Sequence, residues 1–166
     1  MKKILSVAAA IIITAGTAAF ATGTEKEKPV SQKTSYQLSF AKLQVENDID
    51  IMLVEDNEKS LEFSGTDASI AKVNWKIKNG ILYISSKSGS LKGKVKITVN
   101  VNQLKEIAVK GESDVRSNGE LNSASLKIYV DGTSFISVRN RGQIKIEKED
   151  GTELEIRRAV GDITFE

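Results

Sequence analysis

Leu126-Lys127-Ile128-Tyr129-Val130-Asp131-Gly132-Thr133-Ser134-Phe135-Ile136-Ser137-Val138 is the stretch whose reading decides the fold. Apolar residues take every second position up to Asp-Gly, and after a few polar residues the alternation resumes. Period two is the mark of a strand, because successive side chains leave opposite faces of a pleated chain. Ile144–Ile156 repeats the layout around Asp150-Gly151, and Ile107–Val115 repeats it less regularly around Gly111. Gly111, Gly132 and Gly151 stand 21 and 19 residues apart. Glycine supplies the positive φ of a tight turn, and recurrence near 20 residues is what stacked coils of short strands produce. The expectation is an all-β solenoid of few rungs. An antiparallel meander or sandwich, with Asp-Gly in type I′ hairpins, is the competing arrangement.

Strand signal runs through most of the remaining chain. Leu43 and Val45 alternate with polar residues, Asn47-Asp48 permits a bend, and Ile49, Ile51 and Leu53 resume the period. Glu55-Asp56-Asn57 reads as a turn before Leu61 and Phe63. Val73, Trp75 and Ile77 share a face and run into Asn79-Gly80, the strongest hairpin signal present. Val95, Ile97, Val99 and Val101 form the longest clean alternation, after a Ser/Gly/Lys loop over 85–93. Residues 67–73 have room for one helical turn. The inward set is expected to be Leu43, Val45, Ile51, Val73, Trp75, Leu82, Ile84, Ile97, Val99, Val109, Val130, Ile136, Ile146 and Ile156.

Residues 1–21 read as a signal peptide. Lys2 and Lys3 precede the apolar run 4–13, and Ala19-Phe20-Ala21 offers small residues for cleavage. The strongly apolar part is shorter than the roughly 20 residues of a membrane span, so no span is expected after processing. Residues 22–35, with the only proline, read as a flexible leader, and 36–166 as one domain. Of the 24 basic residues, Lys2 and Lys3 belong to the signal, leaving 22 against 22 acidic ones. This even, interleaved balance gives no warrant for nucleic-acid binding. Without Cys or His, disulfides and the usual parts of His- or Cys-based catalysis are lacking.

From Phe40 to about Phe165 the chain also resembles the head-GIN domain family of auto-transporter adhesin-like proteins, a domain of unknown function in Bacteroidetes secreted proteins. The residues that carry the resemblance are Phe40-Ala41-Lys42-Leu43-Gln44-Val45 with Asn47-Asp48-Ile49-Asp50-Ile51, Asn79-Gly80-Ile81-Leu82-Tyr83-Ile84, Val95-Lys96-Ile97-Thr98-Val99, and the turns around Gly111 and Gly132. The resemblance implies a secretion signal and a single-stranded right-handed parallel β-helix, here a short version. Glu112 and Phe135 stand where the family usually has small residues.

Candidate sites are few. Tyr83 and Tyr129 are out of phase with inward neighbours and should face outward, as sugar-stacking or protein-anchoring rings or simply as good strand formers. Phe135 reads as an aromatic near the turn, exposed or packed on a neighbouring rung. Asp131, Asp150, Glu112 and Asp114 near stacked turns would suit Ca²⁺, yet Asp before Gly is equally a favoured turn residue, and no metal or cofactor is assigned. Asp48 and Asp50 are the pair to nominate for glycoside hydrolysis, and are expected to lie solvated on a convex face. The leading reading is therefore a non-enzymatic exported module, periplasmic, surface-bound or secreted, adhesin-like or a scaffold, binding a carbohydrate or envelope protein. A polysaccharide-acting hydrolase or lyase is the alternative. A homodimer through an exposed solenoid end is also expected, because end strands leave backbone groups unpaired.

Overall fold

The computed structural model describes residues 30–34, 38–87, 89, 91, 93–149, 154–156 and 163–165. The strands are β1 (Val30–Thr34), β2 (Lys42–Glu46), β3 (Asp50–Glu55), β4 (Leu61–Gly65), β5 (Val73–Lys78), β6 (Ile81–Ser86) and β7 (Val95–Val101). They continue with β8 (Glu106–Lys110), β9 (Asp114–Leu121), β10 (Ser125–Asp131), β11 (Ser134–Asn140), β12 (Gln143–Lys148), β13 (Leu154–Ile156) and β14 (Ile163–Phe165). One short helix, α1 (Asp67–Ile70), begins where the Thr66 side chain accepts from the backbone N–H of Ser69. It occupies the window expected to hold one helical turn.

Two seven-stranded mixed sheets form. Sheet A runs β1-β4-β7-β3-β9-β11-β13 and sheet B runs β14-β12-β10-β8-β2-β6-β5. From β6 onward successive strands go alternately to sheet B and sheet A. Within each sheet β2, β3 and β6 to β14 pair in parallel with one another. Asp131-Gly132 therefore joins strands of different sheets and does not close a hairpin.

Three features depart from a uniform run of parallel rungs. β4 pairs antiparallel with β1 and β7, and β5 pairs antiparallel with β6. The reversal at β5–β6 comes from Asn79 and Gly80, whose φ values of 53° and 72° are those of a two-residue hairpin turn. The chain order is also broken, since β2 lies between β6 and β8, and β3 between β7 and β9. Finally, Val30–Thr34, read from sequence as leader, instead forms a strand on the open edge of β4. An edge strand with unpaired N–H and C=O groups accepts even a weakly patterned segment as its partner.

The inward rows of both sheets meet in one core. Ile77, Leu82, Leu43, Ile107, Ile128 and Ile146 follow one another across sheet B, and Phe63, Ile97, Ile51, Val115 and Ile136 across sheet A. All are buried except Ile77, which with Trp75 is half-buried on the edge strand β5 and packs against the core. The other expected inward residues are buried too, save Ile156, whose side chain lies outside the described residues, as do residues 1–21, Asp150 and Gly151.

The turns at the two margins of the stack are built differently. At one margin Asn47, Gly111 and Gly132 hold φ of 70°, 87° and 109° in successive layers. A Cβ on Gly132 would stand 2.9 Å from the Gly111 carbonyl oxygen and 3.0 Å from its Cα. The hydroxyl of Ser134 donates to the Gly111 carbonyl at 2.8 Å, and that of Ser113 donates to the Asn47 carbonyl, so each turn is tied to the one beside it. At the other margin fully buried Asn140 accepts from the Ser123 N–H at 3.0 Å and donates to the Ser123 carbonyl at 2.9 Å. Beside it, a Cβ on Gly142 would fall 2.2 Å from the Ala124 carbonyl oxygen.

These contacts set a stability test. Gly142→Ala drives a methyl group into backbone and should destabilise by about 1–3 kcal/mol. Asn140→Ala strands the Ser123 amide and should also cost about 1–3 kcal/mol. Urea unfolding of both variants checks this, and changes within about 0.5 kcal/mol, the range of ordinary surface substitutions, would contradict the turn-stacking account.

Candidate binding faces

Each sheet turns one face to the core and the other outward, so residues that alternate with the core form rows across the strands. One outward row of sheet B reads Lys76, Tyr83, Gln44, Ala108, Tyr129 and Glu147, on β5, β6, β2, β8, β10 and β12. Tyr83 and Tyr129 thus lie in the same row with Gln44 and Ala108 between them. Three strand steps of about 4.8 Å put their backbones about 14 Å apart. Both rings are half-buried. The Lys76 ammonium stands 5.4 Å from the Tyr83 ring centre, a cation–π contact. The flanking row carries Lys42–Glu106, and Lys127 reaches back to Glu147, both ion pairs at 2.7 Å.

The Tyr129 hydroxyl donates to a Glu149 carboxylate oxygen. That bond, with some desolvation and the negative charges of Glu149, Asp131 and Glu147, pushes the phenol up to about 12. Ionising the phenol would break the bond and place an anion among carboxylates.

Phe135 lies elsewhere. It is the second residue of β11, on the outer face of sheet A, and the Arg116 guanidinium carbon stands 4.7 Å from its ring centre. The three aromatic candidates therefore divide between opposite faces of the stack. Of the carboxylate pair, Asp48 sits in the bend before β3 and Asp50 opens β3. Burial still alternates through them, with Asp48 and Asp50 partly exposed on either side of buried Ile49. The cross-strand neighbour of Asp50 is Asp114 on β9. Asp50 is also not simply solvated on a convex surface. It lines a concavity of about 310 Å³ with Ile51, Met52, Lys96, Asp114 and Arg116.

Sequence reasoning missed this Asp50–Asp114–Phe135 row, although its signal is present. Asp50, Asp114 and Phe135 each stand three positions after a left-handed turn residue, Asn47, Gly111 and Gly132. Aligning the repeats on those turns places the three side by side. A second concavity of about 690 Å³ runs along the turns at Gln103–Lys105, Asn122–Ser125 and Arg141–Gly142. Among the described residues no group of three or more acidic side chains converges as a metal cage would require, and no helix is long and apolar enough to cross a membrane.

The chain belongs to the family described as "Putative auto-transporter adhesin, head GIN domain". The family model matches residues 39–165, which spans both sheets apart from β1. Among solved structures, a "putative adhesin" from Parabacteroides distasonis ATCC 8503 superposes with a TM-score of 0.52 at 15% identity, covering 84% of this chain and 71% of that one. A "putative adhesin" from Bacteroides fragilis NCTC 9343 gives 0.45 at 15% identity, covering 84% of this chain and 98% of that one. A "putative lipid binding protein" from Parabacteroides distasonis ATCC 8503 gives 0.46 at 12% identity, covering 83% and 63%. At 15% identity the first likeness is one of fold. Comparison with curated protein sequences gave no match.

Tyr129 offers a direct check of the sheet B electrostatics. Its folded value lies above the usual 10, so the hydroxyl–carboxylate bond contributes fully below pH 10 and is lost as pH rises through about 12. Glu149→Gln should bring the phenol back toward 10 in an ultraviolet phenolate titration. An unchanged titration curve would mean that the bond does not hold in solution.

Proposed function

We propose that this chain is a non-enzymatic, exported adhesin-like module that binds a carbohydrate or protein partner with the outer face of sheet B. The observation that carries the reading is the row Tyr83-Gln44-Ala108-Tyr129, two rings flanking small and polar residues. A tyrosine ring offers apolar area to a sugar or a protein while its hydroxyl keeps a polar contact. A sheet face presents such rings on a rigid scaffold, so little ordering cost opposes binding. Family membership supports an adhesin-like role and, with the signal-like residues 1–21, export to the periplasm, cell surface or medium.

The same proposal takes the architecture as a short right-handed parallel β-helix. Alternation of successive strands between two parallel-paired sheets supports it, and the antiparallel strands β1, β4 and β5 close one end. Self-association through an end of the stack belongs to the proposal as well. Sedimentation velocity over a concentration series tests it, with a constant monomer value removing it.

Binding is tested with the processed protein against immobilised glycans and envelope extract. Saturable capture by either panel should fall about tenfold or more in the Tyr83→Ala/Tyr129→Ala double variant, a loss in keeping with removal of interface anchors. Glycan capture points to a carbohydrate and extract capture alone to a protein. Unchanged capture by the double variant would exclude this face.

A further inference from the structure

The outer face of sheet A holds a second constellation, apart from the tyrosine row. On four consecutive strands one outward row reads Lys96, Asp50, Asp114 and Phe135. Met52 and Arg116 are neighbours in the next row. Asp50 and Asp114 are direct partners on parallel strands, about 4.8 Å apart at the backbone. Placing two carboxylates so close is unfavourable unless donors surround them.

Some of those donors belong to the protein. The Gly93 N–H donates to Asp50 Oδ2 at 2.8 Å, and Arg116 Nη2 lies 3.2 Å from Asp114 Oδ2. The other oxygen of Asp50, Oδ1, is buried and has no hydrogen-bond partner among the described residues. A buried carboxylate oxygen needs a donor. The concavity of about 310 Å³ beside it is lined by two acidic residues, Asp50 and Asp114, and two basic ones, Lys96 and Arg116. That matched lining favours an uncharged, donor-rich ligand over a bare cation or anion. Arg116 bridges the carboxylate and Phe135, with its guanidinium carbon 4.7 Å from the Phe135 ring centre. Acceptor and donor thus meet around a space near the lower limit of the roughly 300–1,000 Å³ of small-ligand sites, and Phe135, the strand neighbour of Asp114, stands just outside its lining behind Arg116.

We propose that this concavity is a subsite for one neutral sugar ring, in which Asp50 accepts from a ring hydroxyl, Arg116 donates to a neighbouring oxygen, and Phe135 flanks the C–H face. A pyranose offers adjacent hydroxyls, each donor and acceptor, together with an apolar face. Met52 supplies further apolar wall. The site lies on the opposite sheet from Tyr83 and Tyr129 and does not depend on them.

The test is titration calorimetry of the processed full chain with the methyl glycosides of glucose, galactose, mannose, fucose and N-acetylglucosamine, in EDTA. At least one should bind saturably. Asp50→Asn keeps an acceptor for Gly93 but exchanges the charged acceptor for a neutral amide, and should weaken that glycoside about tenfold or more, as loss of a charged hydrogen bond does. Phe135→Ala should weaken it as well. Tyr83→Ala should leave it unchanged, which separates this site from the sheet B face. Circular dichroism and the unfolding midpoint show whether each variant is folded. Should Asp50→Asn unfold, Phe135→Ala and Arg116→Lys carry the test. Three results would overturn the proposal: no binding by any of the five glycosides, binding untouched by the folded sheet A variants, or binding that requires added calcium.

Discussion

Backbone lying directly on backbone at the turns is the constraint on which the rest of this structure depends. Gly132 sits so close to Gly111 that a side chain has no room, and Ser134 ties the two turns together. At the opposite margin Gly142 lies against the Ala124 carbonyl, and Asn140 satisfies both backbone groups of Ser123. With the turns held in step at both margins, the strands between them align in parallel register. A one-residue slip would turn every inward Ile and Val to the surface. Turn stacking and core burial therefore impose the same register.

That register is also what makes outward faces usable. Once strands are in step, residues remote in sequence become neighbours in rows, on a support whose other side is packed. Tyr83 and Tyr129 share a row although 46 positions separate them. Asp50 and Asp114 become direct neighbours across 64 positions. The rows differ in chemistry. Sheet B presents tyrosines bounded by lysine and glutamate, whereas sheet A presents carboxylates bounded by lysine, arginine and a phenylalanine. The two faces thus differ in chemistry while sharing one core.

The end at β4 and β5 answers a different problem. Two sheets that grew only by parallel rungs would leave a flat pair of edges there, open to association with other chains. Here the chain reverses at Asn79-Gly80, and β1 lies along β4. The edge strand β5 exposes Asn74, Lys76 and Lys78 on its outer side. Lysine on an edge discourages unwanted pairing, and Lys76 meanwhile contacts Tyr83. One short strand thus both guards the edge and borders the tyrosine row.

Much of this was determined by the sequence itself. Strict period two identifies the strands, because a pleated chain sends alternate side chains to opposite faces. The glycines near 20-residue spacing announce stacked turns, and Asn79-Gly80 announces the hairpin, since in both cases φ must be positive. The outward phase of Tyr83 and Tyr129 follows from the same alternation. The tertiary structure alone decided which strands are neighbours. β2 and β3 insert between later coils, and no local pattern encodes that order because every parallel strand carries much the same apolar alternation. Pairing Asp50 with Asp48 followed chain proximity, whereas pairing it with Asp114 required the register between β3 and β9. Periodicity is a property of the backbone and can be read locally. Adjacency is set by which apolar rows close one core, and that is settled only when the whole chain has folded.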